Sequence, residues 1–318
     1  ACMHLPNTHE VIKLARKVLA DYVPGTLLIT ETNVPHKDNI SYFGNGKDEA
    51  QLVYQFPLPP LTMFALLTGD ASRLTGWAQN LDTPAPGTTY FNFLSSHDGV
   101  GVRPTEGILS KEEQQFLVDS ALRNGGEVSY KDNGDGTKSP YELNINYQDA
   151  LASPEESDEI RIKRFLAAET ILLSMQGLPG IYIHSLLGSR NDYYGKSTSG
   201  ILRRINREKL QIEELEKALE GESNRRIIFE ELLRRLKIRA DHPAFAPDGP
   251  QRVLSLDKRI FALQRESLSG EEKITVYINV SGENVKIKNS FASGLDILSG
   301  EKTGEETELK PYECKWFV

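Results

Sequence analysis

Two stretches place carboxylates where they can act on a substrate. Glu31 follows the strand-forming run "TLLIT" at 26–30, and His97 and Asp98 follow "TTYFNFLSS" at 88–96. Acidic groups carried at the same end of two strands converge on one place, and positioned carboxyl groups suit proton transfer to and from a reacting bond. The structural alternative for each is a cap on the next helix, where a side-chain oxygen accepts from a free backbone N–H.

The elements that must position these groups follow from periodicity. Asn7, with Glu10 three residues on, marks a helix start, and Val11, Ile12, Leu14, Ala15, Val18 and Leu19 follow at helical spacing until "VPG" at 23–25. Strand-like runs recur at 26–30, 51–56, 88–96 and 177–185, separated by apolar helical stretches at about 60–80 and 158–175. Strands alternating with helices imply a parallel sheet, and in a (β/α)8 barrel the active site lies at the carboxyl ends of the strands. Glu31, His97 and Asp98 occupy those ends. Near residue 245 the texture changes. From Arg252 on, runs such as "RIFALQRE" and "KITVYINV" alternate apolar and polar residues between turn residues, the pattern of a small antiparallel β domain. The expected division is therefore 1–245 and 246–318. Four parallel strands are too few to close a barrel. The chain reads either as a small open α/β sheet or as a barrel without its first half.

Composition narrows the function. The chain has 318 residues, 39% apolar content and a net charge of −8. The acidic balance argues against a nucleic-acid partner, since phosphate binding needs basic clusters and the dense one, "RRINREK" at 203–209, is short. No run approaches the roughly 18 apolar residues of a membrane span, and the start, "ACMHLPNTHE", has no secretory apolar region. Cys2 and Cys314 show no metal-ligand spacing and read as free thiols of a reducing compartment, with a disulfide between them as the alternative. The expected location is cytoplasmic, with no metal and no organic cofactor. "KDNGDGTK" at 131–138 invites comparison with a calcium loop, in which Asn133, Asp135, Gly136 and Glu142 would fall on ligand or turn positions. The first position is Lys131, so a Gly-Asp turn is expected instead. The charged run 207–239 reads as two helices with solvated faces and a Leu/Ile stripe packed on the barrel.

Longer runs carry a resemblance. "FLSSHDG" at 93–99 and "LLITETN" at 27–33 resemble the fourth and third signature segments of the α-amylase superfamily, glycoside hydrolase family 13. "TETNVPHKDNISYFGNG", "SHDGVGVRP", "SPYELNINYQDAL", "LPGIYIHSLLGSRND" and "RRINREKL" together resemble its sucrose phosphorylase branch. The superfamily's first two segments, with the Arg-x-Asp that supplies the nucleophile, have no match upstream of Glu31. Arg190 to Asp192 falls after the His-Asp segment and is not that motif. The resemblance thus implies the carboxyl half of a (β/α)8 barrel, beginning just after the nucleophile strand and followed by the β domain.

It also implies roles. Glu31 would be the acid/base of a retaining mechanism, which requires it to start protonated. Asp98 would be the transition-state stabiliser and His97 a ligand of the same sugar. In a phosphorylase, phosphate rather than water attacks the glucosyl-enzyme. A mobile loop ahead of the eighth strand serves this step in related enzymes, and it corresponds to "SPYELNINY", with Tyr141, Asn144 and Asn146 as candidate contacts. Arg103 could pair with phosphate or an anionic acceptor, and Arg203 and Arg207 are the other cationic candidates, each with solvent exposure as its alternative. "GVRPTEG" and "VSYKDNGDGTKSPYELN" look closer to relatives acting on glucosylglycerate than to strict sucrose phosphorylases. The competing functions are a family hydrolase or transglucosidase, and a catalytically incomplete carbohydrate-binding or assembly module. An open half barrel is also expected to self-associate or to bind a companion fragment.

Overall fold

The computed structural model describes residues 4–292 and 294–318. Helix α1 (Pro6–Tyr22) starts at a proline whose fixed φ suits the first helical turn, with Leu5 as its N-cap and no side-chain cap. The helix therefore begins ahead of the expected Asn7 start. Strand β1 (Ile29–Thr30) is shorter than "TLLIT", because the Leu28 N–H donates to the Gln51 side chain instead of to a ladder. Helix α2 (His36–Ile40) and a 3-10 turn lead to β2 (Leu52–Tyr54). The apolar stretch after it is two helices, α3 (Leu58–Thr68) and α4 (Ser72–Gln79), broken where Gly69 turns left-handed at φ 69. Strand β3 (Thr89–Phe93) then completes the central part of the sheet.

Between β3 and the last parallel strand the chain makes an excursion. Strands β4 (Val100–Gly101), β5 (Glu127–Asp132) and β6 (Lys138–Asn144) form an antiparallel sheet in the order β4-β6-β5, with α5 (Lys111–Arg123) closed by a Ser110/Glu113 capping box. The segment expected as a loop is thus largely a strand. "KDNGDGTK" is the hairpin turn at its tip, where the Asp132 and Asp135 carboxylates accept from the backbone N–H groups of Gly134 and Thr137. Helices α6 (Tyr147–Ala150) and α7 (Asp158–Ser174) return the chain to β7 (Leu178–Gly180). Only three residues of "GLPGIYIHS" pair as strand, and "IHSL" begins α8 (Ile183–Leu186). Gly180 has no room for a side chain, since a Cβ there would lie 2.3 Å from the Phe91 ring. Helices α9 (Tyr193–Ser199), α10 (Ile212–Glu220) and α11 (Asn224–Asp241) follow. Of the two helices expected in the charged run, α11 buries Ile228, Leu232 and Arg235, while α10 buries none of its residues.

The four strands β1-β2-β3-β7 pair in parallel in that order, which is the second half of a (β/α)8 barrel. The C-terminal strands are β8 (Gln251–Leu254), β9 (Ile260–Glu266), β10 (Lys273–Asn279), β11 (Val285–Lys288), β12 (Glu306–Leu309) and β13 (Cys314–Phe317). They form an antiparallel sheet β13-β10-β9-β8 and the pair β11-β12. One apolar core runs from α3 and α7 into β9, β10 and β13. Trp316 is fully buried there and donates from Nε1 to the Ser174 hydroxyl of α7. Arg265, fully buried, donates to the carbonyls of Ser174 and Ala246; burial without a carboxylate partner pushes its pKa down to about 9. Cys314 is a free thiol whose pKa burial pushes up to about 11, and Cys2 lies outside the described residues. Among the described residues no helix is long and apolar enough to cross a membrane.

Candidate active site

The inner side of the half barrel is aromatic. Tyr54 on β2 lies 4.7 Å from Phe91 and 5.1 Å from Phe93 on β3, ring centre to ring centre, and Phe56 packs on both Tyr54 and Phe93. Burial, reinforced by the Glu31 charge, raises the Tyr54 pKa. Above this floor, at the carboxyl ends of the strands, a cavity of about 230 Å³ is lined by Glu31, Phe56, Phe93, Asp98, Tyr141, Glu142 and Arg203, among others. The two carboxylates read from the sequence therefore face a common space. Glu31 comes directly after β1 and is exposed; Asp98 is 30% exposed.

Asp98 is held from several sides. Its Oδ1 pairs with Arg203 at 2.7 Å and Arg207 at 3.4 Å, and His97 Nε2 lies 3.5 Å away. Its N–H donates to the Ser96 hydroxyl, while Asn206 donates to the carbonyls of Ser96 and Asp98. Arg203 in turn grips Glu142 with two hydrogen bonds of 2.9 and 2.6 Å. Glu142 is 5% exposed, and its carboxylate raises the Arg203 pKa. Arg203 and Arg207 of "RRINREK" are thus not free surface charges: the 3-10 turn Leu202–Asn206 and the residue that caps it lay them across the site. Gly99 lets β4 lie against β6, since a Cβ there would meet the Leu143 carbonyl at 2.3 Å.

The other candidate residues divide. Tyr141 faces the cavity. Asn144 is fully buried and donates to the Ser129 hydroxyl, and Asn146 caps α6 while its N–H donates to Asn191. Position 144 is taken up by its bond to Ser129 on β5, and position 146 is consumed by the cap. Neither asparagine reaches the cavity. His97 is 62% exposed and contributes its carbonyl to Arg207. Arg103 borders two neighbouring cavities rather than this one. Glu142 and the aromatic floor were not singled out as site residues from sequence. No local pattern in "KSPYELN" singles out Glu142, whose place at the site is read from its pairing with Arg203. Ser95, which also lines the cavity, bonds the Ser185 hydroxyl of α8 at 2.7 Å and ties together the ends of β3 and β7. Among the described residues no group of three or more His, Cys, Asp or Glu is arranged to hold a metal ion.

No family model matches the chain. It is 48% identical over its whole length to glucosylglycerate phosphorylase of Allomeiothermus silvanus, of which it covers 56%, and 43% identical to that of Escherichia coli, with 99% of this chain and 57% of the relative aligned. It is 29% identical to sucrose phosphorylase of Agrobacterium vitis over 77% of its length, covering 47% of that protein. The chain spans about half the length of the curated relatives it matches. Among solved structures, sucrose 6F-phosphate phosphorylase from Thermoanaerobacter thermosaccharolyticum superposes with a TM-score of 0.71 at 22% identity, covering 86% of this chain and 51% of that one, a likeness of fold. The homologues of this chain are thus glucosylglycerate and sucrose phosphorylases, and it shares its half-barrel fold with enzymes of the α-amylase superfamily, glycoside hydrolase family 13.

Proposed function

We propose that this chain is the carboxyl-terminal part of a retaining α-glucoside phosphorylase of the glucosylglycerate type, with inorganic phosphate as co-substrate and no metal or organic cofactor. The observation that carries the reading is the single cavity shared by Glu31 and Asp98, with Arg203 laid across Asp98. Glu31 gives its proton to the departing glycosidic oxygen, so that the acceptor leaves as an alcohol and not as an alkoxide. The attacking carboxylate that takes the glucosyl group belongs to the part of the barrel ahead of β1. Asp98 accepts hydrogen bonds from sugar hydroxyls that tighten as the ring becomes cationic, which is where such contacts accelerate the reaction. In the second step phosphate, its charge met by Arg203 and Arg207, displaces the attacking carboxylate from the glucosyl group and passes its proton to Glu31. The product is glucose 1-phosphate. The glucosylglycerate phosphorylases among the relatives favour glycerate as the leaving acceptor.

The test is made on the longer protein that contains this chain. Release of glucose 1-phosphate from glucosylglycerate that depends on phosphate supports the reading, while free glucose released at the same rate without phosphate replaces it with a hydrolase. In the same protein Glu31→Gln is expected to slow glucosyl transfer by two to four orders of magnitude, about the worth of a general acid. Activity near wild type on substrates with ordinary leaving groups would make Glu31 structural.

A further inference from the structure

Beside the Glu31/Asp98 cavity lies a smaller one of about 130 Å³, bordered by Arg103, Glu106, Lys131, Asn133, Ser139 and Tyr141. Tyr141 belongs to both, so the two spaces adjoin at its ring. The cations in this second space differ from those of the first. Arg203 and Arg207 lie at Asp98, and Arg204 pairs with Asp192 at 3.1 Å. Arg103, by contrast, has only Glu106 at 3.9 Å, a carboxylate that is 68% exposed. The Lys131 ammonium has no hydrogen-bond or ion-pair partner among the described residues. With two cations against the single carboxylate of Glu106, the lining of this space carries an excess of positive charge that an anion would relieve.

The position of Lys131 is built rather than incidental. It stands opposite Ser139 across the β5–β6 ladder, one residue beyond a register shift between Ser129 and Tyr130. Such a bulge re-aims the side chains that follow it. Arg103 comes from the other side, on the 3-10 turn Arg103–Thr105 after β4. The space is small and opens to solvent on one side.

We infer that Arg103 and Lys131 form the subsite for the carboxylate of a small hydroxy-acid acceptor, with Tyr141 marking where its hydroxyl end enters the catalytic cavity. The inference deepens the phosphorylase reading and rests on it. It adds Lys131 as a specificity-determining residue and assigns phosphate to the separate arginine pair at Asp98. A neutral acceptor such as glycerol can offer the two cations hydroxyl oxygens but no charge.

The experiment uses the longer protein carrying this chain, as wild type, Lys131→Gln, Arg103→Gln and Lys138→Gln. Lys138 lies on the same hairpin but outside this cavity, so its substitution controls for net charge. Synthesis from glucose 1-phosphate is followed with D-glycerate and with glycerol, and D-glycerate and inorganic phosphate are titrated calorimetrically. Lys131→Gln and Arg103→Gln are each expected to raise KM and Kd for glycerate about 10-fold, the usual worth of one charge-assisted hydrogen bond, and to lower the preference for glycerate over glycerol by the same factor. Lys138→Gln is expected to leave glycerate binding as it is. The inference is overturned if Lys131→Gln changes glycerate affinity by less than twofold, or if it weakens phosphate as much as glycerate. A wild-type protein that binds glycerate through Lys131 yet performs no phosphorolysis would sink the phosphorylase reading and leave the anion subsite standing.

Discussion

At Asp98 one carboxylate oxygen faces two guanidinium groups, and one of them is also bonded twice to the buried Glu142. Paired charges of this kind hold one another in place, so Asp98 is oriented by groups on β6 and on the turn Leu202–Asn206. The motif "SSHDG" identifies Asp98 by type, but nothing local to it announces Glu142, whose partner lies 61 positions away. A different buried carboxyl has no such partner. Glu169, in the middle of α7 and 1% exposed, has its pKa pushed up to about 8 by burial, only partly opposed by a hydrogen bond with Ser185. Between its unfolded value, near 4.5, and about 8 the folded state holds a proton that the unfolded state has released, so stability falls as pH rises through that window. The slope should approach 1.4 kcal/mol per pH unit at most. Urea unfolding at pH 5.5, 6.5 and 7.5 is expected to show a decline that Glu169→Gln flattens. An unchanged slope in that variant would place the ionisation elsewhere.

Two glycines separate crowded from open backbone at the scale of elements. Gly99 sits where β4 crosses β6, and a methyl group there would meet the Leu143 carbonyl at 2.3 Å and the Glu142 side chain at 2.8 Å. Gly99→Ala is expected to cost about 1–3 kcal/mol in denaturant unfolding, the range for overpacking, and to loosen Arg203 from Glu142. Gly76, inside α4, has ordinary helical φ and nothing within 4 Å of an added Cβ. Gly76→Ala should therefore stabilise by about 0.5–1 kcal/mol in the same measurement. Equal effects of the two substitutions would mean that β4 yields freely. Periodicity identified α1, α7 and the parallel strands but not their lengths, because strand ends are decided by partners: β1 stops at two residues where Gln51 takes the Leu28 N–H. The β4-β6-β5 sheet escaped because its register depends on a ladder between residues up to 43 positions apart, with a bulge in the middle.

For the whole molecule, the open sheet dominates. β1 is an edge of the parallel sheet, with Leu27 and Ile29 exposed, and α1 beside it leaves Val11, Leu14, Val18 and Tyr22 in solvent without burying one side chain. An uncovered edge and apolar stripe favour association. The isolated 318-residue chain is expected to self-associate in light scattering and to release no glucose 1-phosphate from glucosylglycerate or sucrose, since the carboxylates lining its cavity are Glu31, Asp98 and the arginine-bound Glu142. Phosphorolysis by a monomer of this chain would show that the nucleophile lies within it. By itself the sequence determined the alternation of strands and helices, the antiparallel β region at the end, and the carboxylates at two strand tips, because periodicity and residue type are local properties of the chain. The tertiary structure alone decided that Glu31 and Asp98 share a cavity, that Asn144 and Asn146 stay out of it, and that Arg203 and Arg207 lie across Asp98. These are contacts between segments far apart in the chain, and their energies come from packing and charge pairing that no local pattern encodes.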